Sequence, residues 1–368
     1  MTSRRAAFVI AHPYVDAIAC FREPIKRLAD EGWQVDLYTT LSPVHPPPAF
    51  KCDNVRLRPI EITRAGAVRL VADLAWGRPK YDWIFAVPQW SLHYAGIAAS
   101  LGRIPLVCIS DELKADCEAT TGDTRRWRER ERRAHQRCVF TIALTEERAA
   151  FVRSENRLGS DHEILVVPNA APGPAERLPS HYYQDTLDIP PDKCVLLHAG
   201  SWWWKVGFGG IEDEARRWSN GNVLVFQGRL LNHFAGAASH PNLRFAPTVL
   251  PSDLLDYAVS SAHIGLALYD TSTMNNRMLG AASGKVTLYM KNALPVILPR
   301  HPSFDWIERE GCGVLVDELA GLDDAVARIR ADYDRYVSNV KRYYDAKLDF
   351  TKYFRPVRAL MNGPLTHD

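Results

Sequence analysis

Close cysteine pairs, long apolar runs and a surplus of either charge are all missing from this 368-residue sequence. Its seven cysteines (Cys20, Cys52, Cys108, Cys117, Cys138, Cys194 and Cys312) are scattered without metal or redox spacing. Several stand in apolar, strand-like runs, which implies packed and reduced thiols rather than a disulfide framework. No apolar stretch approaches the roughly 18 residues of a membrane span. AAFVIA (6–11) is too short for a secretory leader before it runs into HPY. Lys and Arg number 45 against 43 Asp and Glu, a net charge of +2, so neither a nucleic-acid binder nor an acidic tail is implied. No His/Cys cluster has ligand spacing, and no essential metal or other cofactor is expected. The expectation is a cytoplasmic protein, at most touching the inner membrane surface.

What is present is alternation. AAFVIA is followed by a stretch with Phe21, Ile25, Leu28 and Ala29 on one helical face, ending at Gly32. VDLYT, VRLRPI, DWIFAV, PLVCIS, FTIAL and EILVVP follow as short β-rich runs between polar or helical segments. Continuous apolar strands alternating with helices predict a parallel sheet covered on both faces. PNAAPGPAERLPS (168–180), rich in proline and small residues, reads as a linker. The pattern then restarts with VLLHA, NVLVFQ, LRF, HIGLAL, LPVIL and GVLV. The chain is long for one core, and two doubly wound, Rossmann-like α/β domains facing across a cleft are predicted, residues 1–170 and 171–349. Residues 320–348 read as one long amphipathic helix through Leu322, Val326, Ile329, Tyr336, Val340 and Tyr343.

In open α/β sheets, ligands bind beyond the carboxyl ends of the strands. The loops there are HPYVDAIACFRE, PQWSLH, SDELKAD, GSWWWKVGFGG, APTVLPSD and YDTSTMNNRMLGAASGK, which carry histidines, acids, amides and glycines. In the first half His12, Arg22, His93, Asp111 and Glu112 are the candidate ligand-binding groups. Either carboxylate could orient or deprotonate a hydroxyl. In AASGKVTLYMKNALPVILP (281–299) a loop of small residues opens an apolar helix, with Lys285 at its mouth. Unpaired first-turn amides beside a cation suit a phosphate. The bland alternative is a Ser283 N-cap with a solvated lysine, although a cation is disfavoured at that helix end.

ILVVPNAAPG, LLHAGSWWWKVGFGGIEDEA and HIGLALYDTSTMNNRMLGAASGKVTLYMKNALPVI together resemble the GT-B glycosyltransferases. The likeness is to the retaining, nucleotide-sugar-dependent enzymes of glycosyltransferase family 4, and its motifs lie mainly in residues 165–317. The resemblance implies a hexosyltransferase-type enzyme that moves a sugar from a nucleotide-diphosphate donor, of UDP or GDP type, to a hydroxyl acceptor. It implies acceptor binding in the first domain, where His12, Arg22, His93, Asp111 and Glu112 become the acceptor-binding candidates, and donor binding in the second, with the terminal helix 350–368 packed back on the first. It places Gly200, Ser201, Lys205, Ser283, Gly284 and Lys285 beside the diphosphate, and Thr248 and Val249 where backbone groups hold the base. Lys285 would also assist departure of the diphosphate. In the loop after HIGLAL, Asp270, Asn275 and Asn276 stand where relatives direct an acid at the transferred sugar. Leu288 replaces a ribose-binding glutamate of many relatives, and Ser110-Asp111-Glu112 replaces a frequent histidine. Leucine accepts no hydrogen bond. That departure keeps two rivals open: a catalytically silent GT-B partner protein, and a sugar-nucleotide epimerase or phosphorylase on the same fold.

Other features have bland readings. GFGGIE (207–212) fails the dinucleotide fingerprint, because Glu212 stands where the third glycine belongs. Asp332 and Asp334, two apart in the predicted long helix, face apart and cannot share an ion well. TRRWRERERRAHQR (124–137) holds seven arginines against two glutamates. A solvated helix face is one reading, and a surface drawn to anionic lipid is the other. Of Trp202, Trp203 and Trp204, three adjacent indoles, at least one is expected at the ligand side.

Overall fold

Among the described residues, every named strand is paired in parallel with its neighbours, as short strands alternating with helices require. The structure, a computed structural model, describes residues 4–43, 47–200, 210–218, 221–228 and 240–363. Two units emerge, Met1–Asn169 with Phe350–Asp368, and Ala170–Asp349.

The first unit is built on β1 (Arg5–Ile10), β2 (Gln34–Thr39), β3 (Val55–Pro59), β4 (Trp83–Ala86), β5 (Leu106–Ser110), β6 (Phe140–Ala143) and β7 (Glu163–Val166). Their order is β3-β2-β1-β4-β5-β6-β7. Phe8 and Phe85 stack across β1 and β4, with ring centroids 4.6 Å apart. The helix Phe350–Asn362 belongs to this unit. Arg358 ion-pairs with Glu31 and lies over the Trp33 ring, fixing the helix at the end of the first α-helix.

The second unit holds β8 (Cys194–Ala199), β9 (Asn222–Gln227), β10 (Leu243–Ala246), β11 (Ile264–Leu266), β12 (Val296–Pro299) and β13 (Gly313–Val316). Their order is β10-β9-β8-β11-β12-β13. Alternation along β8 sends Val195, Leu197 and Ala199 into one core and Cys194 and Leu196 into the other. Both faces of the sheet are therefore buried.

The single helix expected over 320–348 is two, Leu322–Ala331 and Tyr333–Lys347. Asp332 breaks it with φ −143. The two cores explain the break. Leu322, Val326 and Ile329 serve one face of the sheet, whereas Val340, Tyr344 and Leu348 serve the other. One straight helix cannot reach both. Asp332 consequently caps a helix, so it and Asp334 do not share one helix interior. Among the described residues, no helix is long and apolar enough to cross a membrane.

The arginine-rich stretch also departs from a wholly solvated face. It forms the helix Gly122–His135, in which Arg128 and Arg132 are buried. Arg128 pairs with Glu131 at 2.9 Å, and Arg132 pairs with Asp116 at 2.6 Å. The remaining five arginines of the stretch are exposed.

Candidate functional site

In each sheet the strand order reverses at one point, where two neighbouring strands send their connections in opposite directions and leave a crevice. In the second unit that point lies between β8 and β11. Tyr289 joins the two strand ends: its hydroxyl accepts from the Ala199 N–H at 2.7 Å and donates to the Leu266 carbonyl at 3.0 Å. β8 then turns at Gly200, whose φ of +115 favours glycine. The Gly200 N–H donates to the Gln227 carbonyl at 2.8 Å.

The helix Gly284–Lys291 begins at this crevice. Ser283 caps it by accepting the Val286 N–H at 3.2 Å, and the Tyr269 hydroxyl lies 2.5 Å from Ser283 Oγ. Lys285 is therefore held among Ser283, Tyr269 and β8. Its ammonium lies 5.3 Å from the Tyr269 ring centroid, and its Cε would be 3.5 Å from a Cβ at Gly200. Nζ also lies 3.0 Å from Nε2 of His198, a buried residue of β8. The side chain is only partly accessible, and burial pushes its ammonium down to about 7. First-turn amides, a helix dipole and this cation converge on one spot, a combination that binds phosphate.

Around that point, the Gln227 side chain donates to the Thr248 carbonyl at 2.6 Å, shaping the backbone that leads to Val249. Asp270 accepts from the Ser272 N–H at 2.9 Å and from its hydroxyl at 2.7 Å, while Asn276 donates to the Asp270 carbonyl at 2.7 Å. Asp270 and Asn276 thus build their own loop, and Asn275 lies in the short helix Met274–Arg277 beside them. Leu288 packs against the core. Ser201, Lys205 and Trp202 to Trp204 lie outside the described residues.

The first unit has its own reversal, between β1 and β4. His12 follows β1 there, with Nδ1 accepting the Tyr14 N–H at 3.2 Å and its carbonyl accepting from Thr39 at 2.7 Å. His93 is not in a loop, contrary to the sequence reading. It lies in the first turns of the helix Trp90–Gly102, with its ring 5.9 Å from that of Trp127. Burial first, then Arg130 and Arg137, lower its pKa. Arg22 pairs with Glu23 at 2.6 Å and donates to the Asp16 carbonyl at 3.1 Å.

Asp111 and Glu112, either of which the sequence offered for the acceptor hydroxyl, stand in different surroundings beyond β5. Glu112 is exposed, with its carboxylate 4.0 Å from Lys114. Asp111 is half-buried, and its desolvation, followed by the charge of Glu112, raises its carboxyl to about 7. The Arg148 guanidinium donates to the Asp111 carbonyl oxygen at 2.6 Å. Arg148 is fully buried, and burial lowers its own pKa to about 10. A carboxyl poised near neutrality suits proton transfer.

Sequence reasoning passed over His198, Tyr289 and Arg148. Two carried a signal: His198 is a lone polar residue within a buried strand. Arg148 is a cation in the first turn of the helix Glu146–Glu155, where the helix dipole disfavours it. Among the described residues, no group of three or more His, Cys, Asp or Glu side chains is placed to hold a metal.

Residues 214–355 match the family described as Glucosyltransferase 3-like, C-terminal domain. No curated protein matches the sequence. Sucrose-phosphate synthase from Thermosynechococcus elongatus superposes with a TM-score of 0.71 at 15% identity, covering 97% of this chain and 98% of that one. Anabaena Alr3699/HepE, solved in complex with UDP-glucose, gives 0.70 at 13% identity, covering 97% and 99%. WaaG, a glycosyltransferase involved in lipopolysaccharide biosynthesis, gives 0.66 at 15% identity, covering 98% and 100%. The architecture is thus the GT-B fold, and residues 214–355 are similar to a glucosyltransferase 3-like C-terminal domain.

Proposed function

We propose that this chain, a GT-B protein with a glycosyltransferase domain, moves a sugar from a nucleotide-diphosphate sugar to a hydroxyl acceptor with retention. The observation that carries this reading is Lys285 at the start of the helix Gly284–Lys291, beside the strand reversal of the second sheet. The diphosphate lies against the first-turn amides of Gly284 and Lys285, and the Lys285 side chain supplies the opposing charge. As the glycosidic bond to phosphate breaks, negative charge grows on the departing diphosphate. A preorganised cation and amides stabilise that charge more than they stabilise the ground state. Backbone groups near Thr248 and Val249 hold the base. Anabaena Alr3699/HepE was solved with UDP-glucose, which supports a UDP sugar as the first donor to test.

On the acceptor side, Asp111 is the better of the two acids, because its environment raises its pKa toward neutrality while Glu112 stands in solvent. It accepts the proton of the attacking hydroxyl. The diphosphate is neutralised by Lys285 and helix amides, so the reaction proceeds without a divalent ion.

Leu288 favours a second reading, a protein that binds the nucleotide without turning it over, since leucine offers the ribose no acceptor. Incubation with UDP-glucose and its GDP, ADP and dTDP counterparts separates the two. Released nucleoside diphosphate with transfer, or slow hydrolysis, supports the enzyme. Binding with no turnover supports the silent partner, and an epimerised sugar supports an epimerase. Loss of activity on chelation, restored only by magnesium or manganese, would refute metal independence.

A further inference from the structure

We propose that the outer face of a three-helix layer on the first unit docks onto an anionic lipid surface. The helices are Arg64–Trp76, Trp90–Gly102 and Gly122–His135. They share one core with the sheet through Leu70, Leu74, Leu92, Ala95, Ala98 and Ala134. They also touch closely: a Cβ at Gly102 would lie 3.2 Å from Ala75 Cα, and one at Gly96 would lie 3.2 Å from Ala134 Cβ. The three helices pack as one continuous layer.

Its outward side carries the most exposed large apolar side chains among the described residues. Among the described residues, four large apolar side chains are more than half exposed: Val68 (70%), Trp76 (60%), Ile62 (58%) and Leu101 (54%). All four lie in or directly before these helices. Ala65, Val68, Ala72 and Trp76 fall within roughly 80° of arc at about 3.6 residues per turn, so they form one stripe. On the middle helix Trp90, Tyr94 and Ile97 are half-buried and lead to Leu101 at helical spacing. A monomer rarely leaves such a patch uncovered.

Cations surround the apolar stripe. Arg64 and Arg69 flank it, Arg103 follows Leu101, Arg130 lies on the third helix and Arg137 just beyond its end. None of these five makes an ion pair among the described residues. Arg130 lies 4.9 Å over the Trp127 ring. Glu61 and Asp73 are the acids nearest the stripe in sequence. On the third helix Asp123 and Glu129 pair with Arg126 at 3.8 Å and Arg133 at 2.9 Å.

Charge and apolarity together select the occupant. A second copy meeting this face about a two-fold axis would set cation against cation. A nucleic acid would answer the arginines and leave Val68, Trp76 and Leu101 against water. A bilayer with acidic headgroups satisfies both. Apolar side chains enter the acyl boundary, indole sits at the interface, and arginines extend to phosphate.

The test is sedimentation of the full chain with vesicles of phosphatidylcholine alone and with added phosphatidylglycerol. Binding is expected only to the acidic vesicles. It should fall at about 1 M salt, where the Debye length shrinks to about 3 Å. The triple variant Val68→Ser, Trp76→Ser, Leu101→Ser and the pair Arg130→Glu, Arg137→Glu should each lose at least tenfold in partitioning. All five sites are exposed, so circular dichroism should be unchanged. Three outcomes would overturn the proposal: no binding to acidic vesicles, variants that bind like wild type, or a wild-type dimer that the triple variant dissociates. UDP calorimetry on the same variants reads the second unit separately, so failure here leaves the donor site standing.

Discussion

Nζ of Lys285 and Nε2 of His198 lie 3.0 Å apart, joining the first turn of a helix to the last buried residues of a strand. The contact fixes where the lysine's charge is presented. It also places the ammonium in surroundings that push its pKa down to about 7, by burial alone. An arriving diphosphate opposes that shift, because its negative charge favours the protonated lysine.

Lys285→Ala should weaken UDP binding by about 1.5–3 kcal/mol, the range for a charged hydrogen bond. The pH dependence has a definite sign. The charged form binds the anion, so wild-type affinity should be highest below pH 7 and fall as pH rises through 7. In Lys285→Met that slope should flatten. Calorimetry between pH 6 and 8.5 measures both effects, and equal affinity of Lys285→Ala and wild type would exclude the phosphate role.

Asp111 and Glu112 should behave differently despite being neighbours. Asp111→Asn is expected to lower sugar transfer strongly with donor affinity unchanged. Glu112→Gln should cost little, as exposed ion pairs are worth about 0–1 kcal/mol. If Asp111 is the base, transfer rises as pH passes through about 7, and Asp111→Asn removes that limb. Equal rates for wild type and Asp111→Asn would turn attention to His12.

Gly265→Ala should destabilise the second unit by about 1–3 kcal/mol, the range for overpacking. A Cβ at Gly265 would stand 2.3 Å from the Tyr289 ring. Tyr289 would have to leave the hydroxyl position that joins β8 to β11, so UDP affinity should fall along with thermal stability. Unfolding and calorimetry on one preparation test the coupling.

His135 makes the first unit sensitive to acid. Burial, reinforced by His162 and Arg128, lowers its pKa from 6.5 to about 3. Between those values the unfolded chain binds the extra proton, so stability present above pH 6.5 is lost as pH falls toward 3. Its Nε2 lies 2.7 Å from the Thr141 hydroxyl, a contact that glutamine can replace. His135→Gln should therefore show a shallower decline of Tm between pH 6.5 and 4 than wild type. Parallel curves for the two proteins would exclude this account.

The sequence by itself determined the two sheets, because central strands such as β1, β4, β5, β8 and β12 are buried along their length and are written as short apolar runs between helical patterns. It also determined the loop of small residues ending in Lys285, since a helix start that meets phosphate needs a cap, small side chains and a cation in adjacent positions. Other features depended on contacts between residues distant in the chain. The break at Asp332 arises because two cores on opposite sheet faces claim successive turns of one amphipathic pattern. Asp111 and Glu112 are adjacent and chemically alike, yet one is half-buried near Arg148 while the other is solvated. His198 meets Lys285 across 87 residues of chain. Burial and charge act through space, so the ionisation of these groups was decided only when the tertiary structure brought their neighbours together.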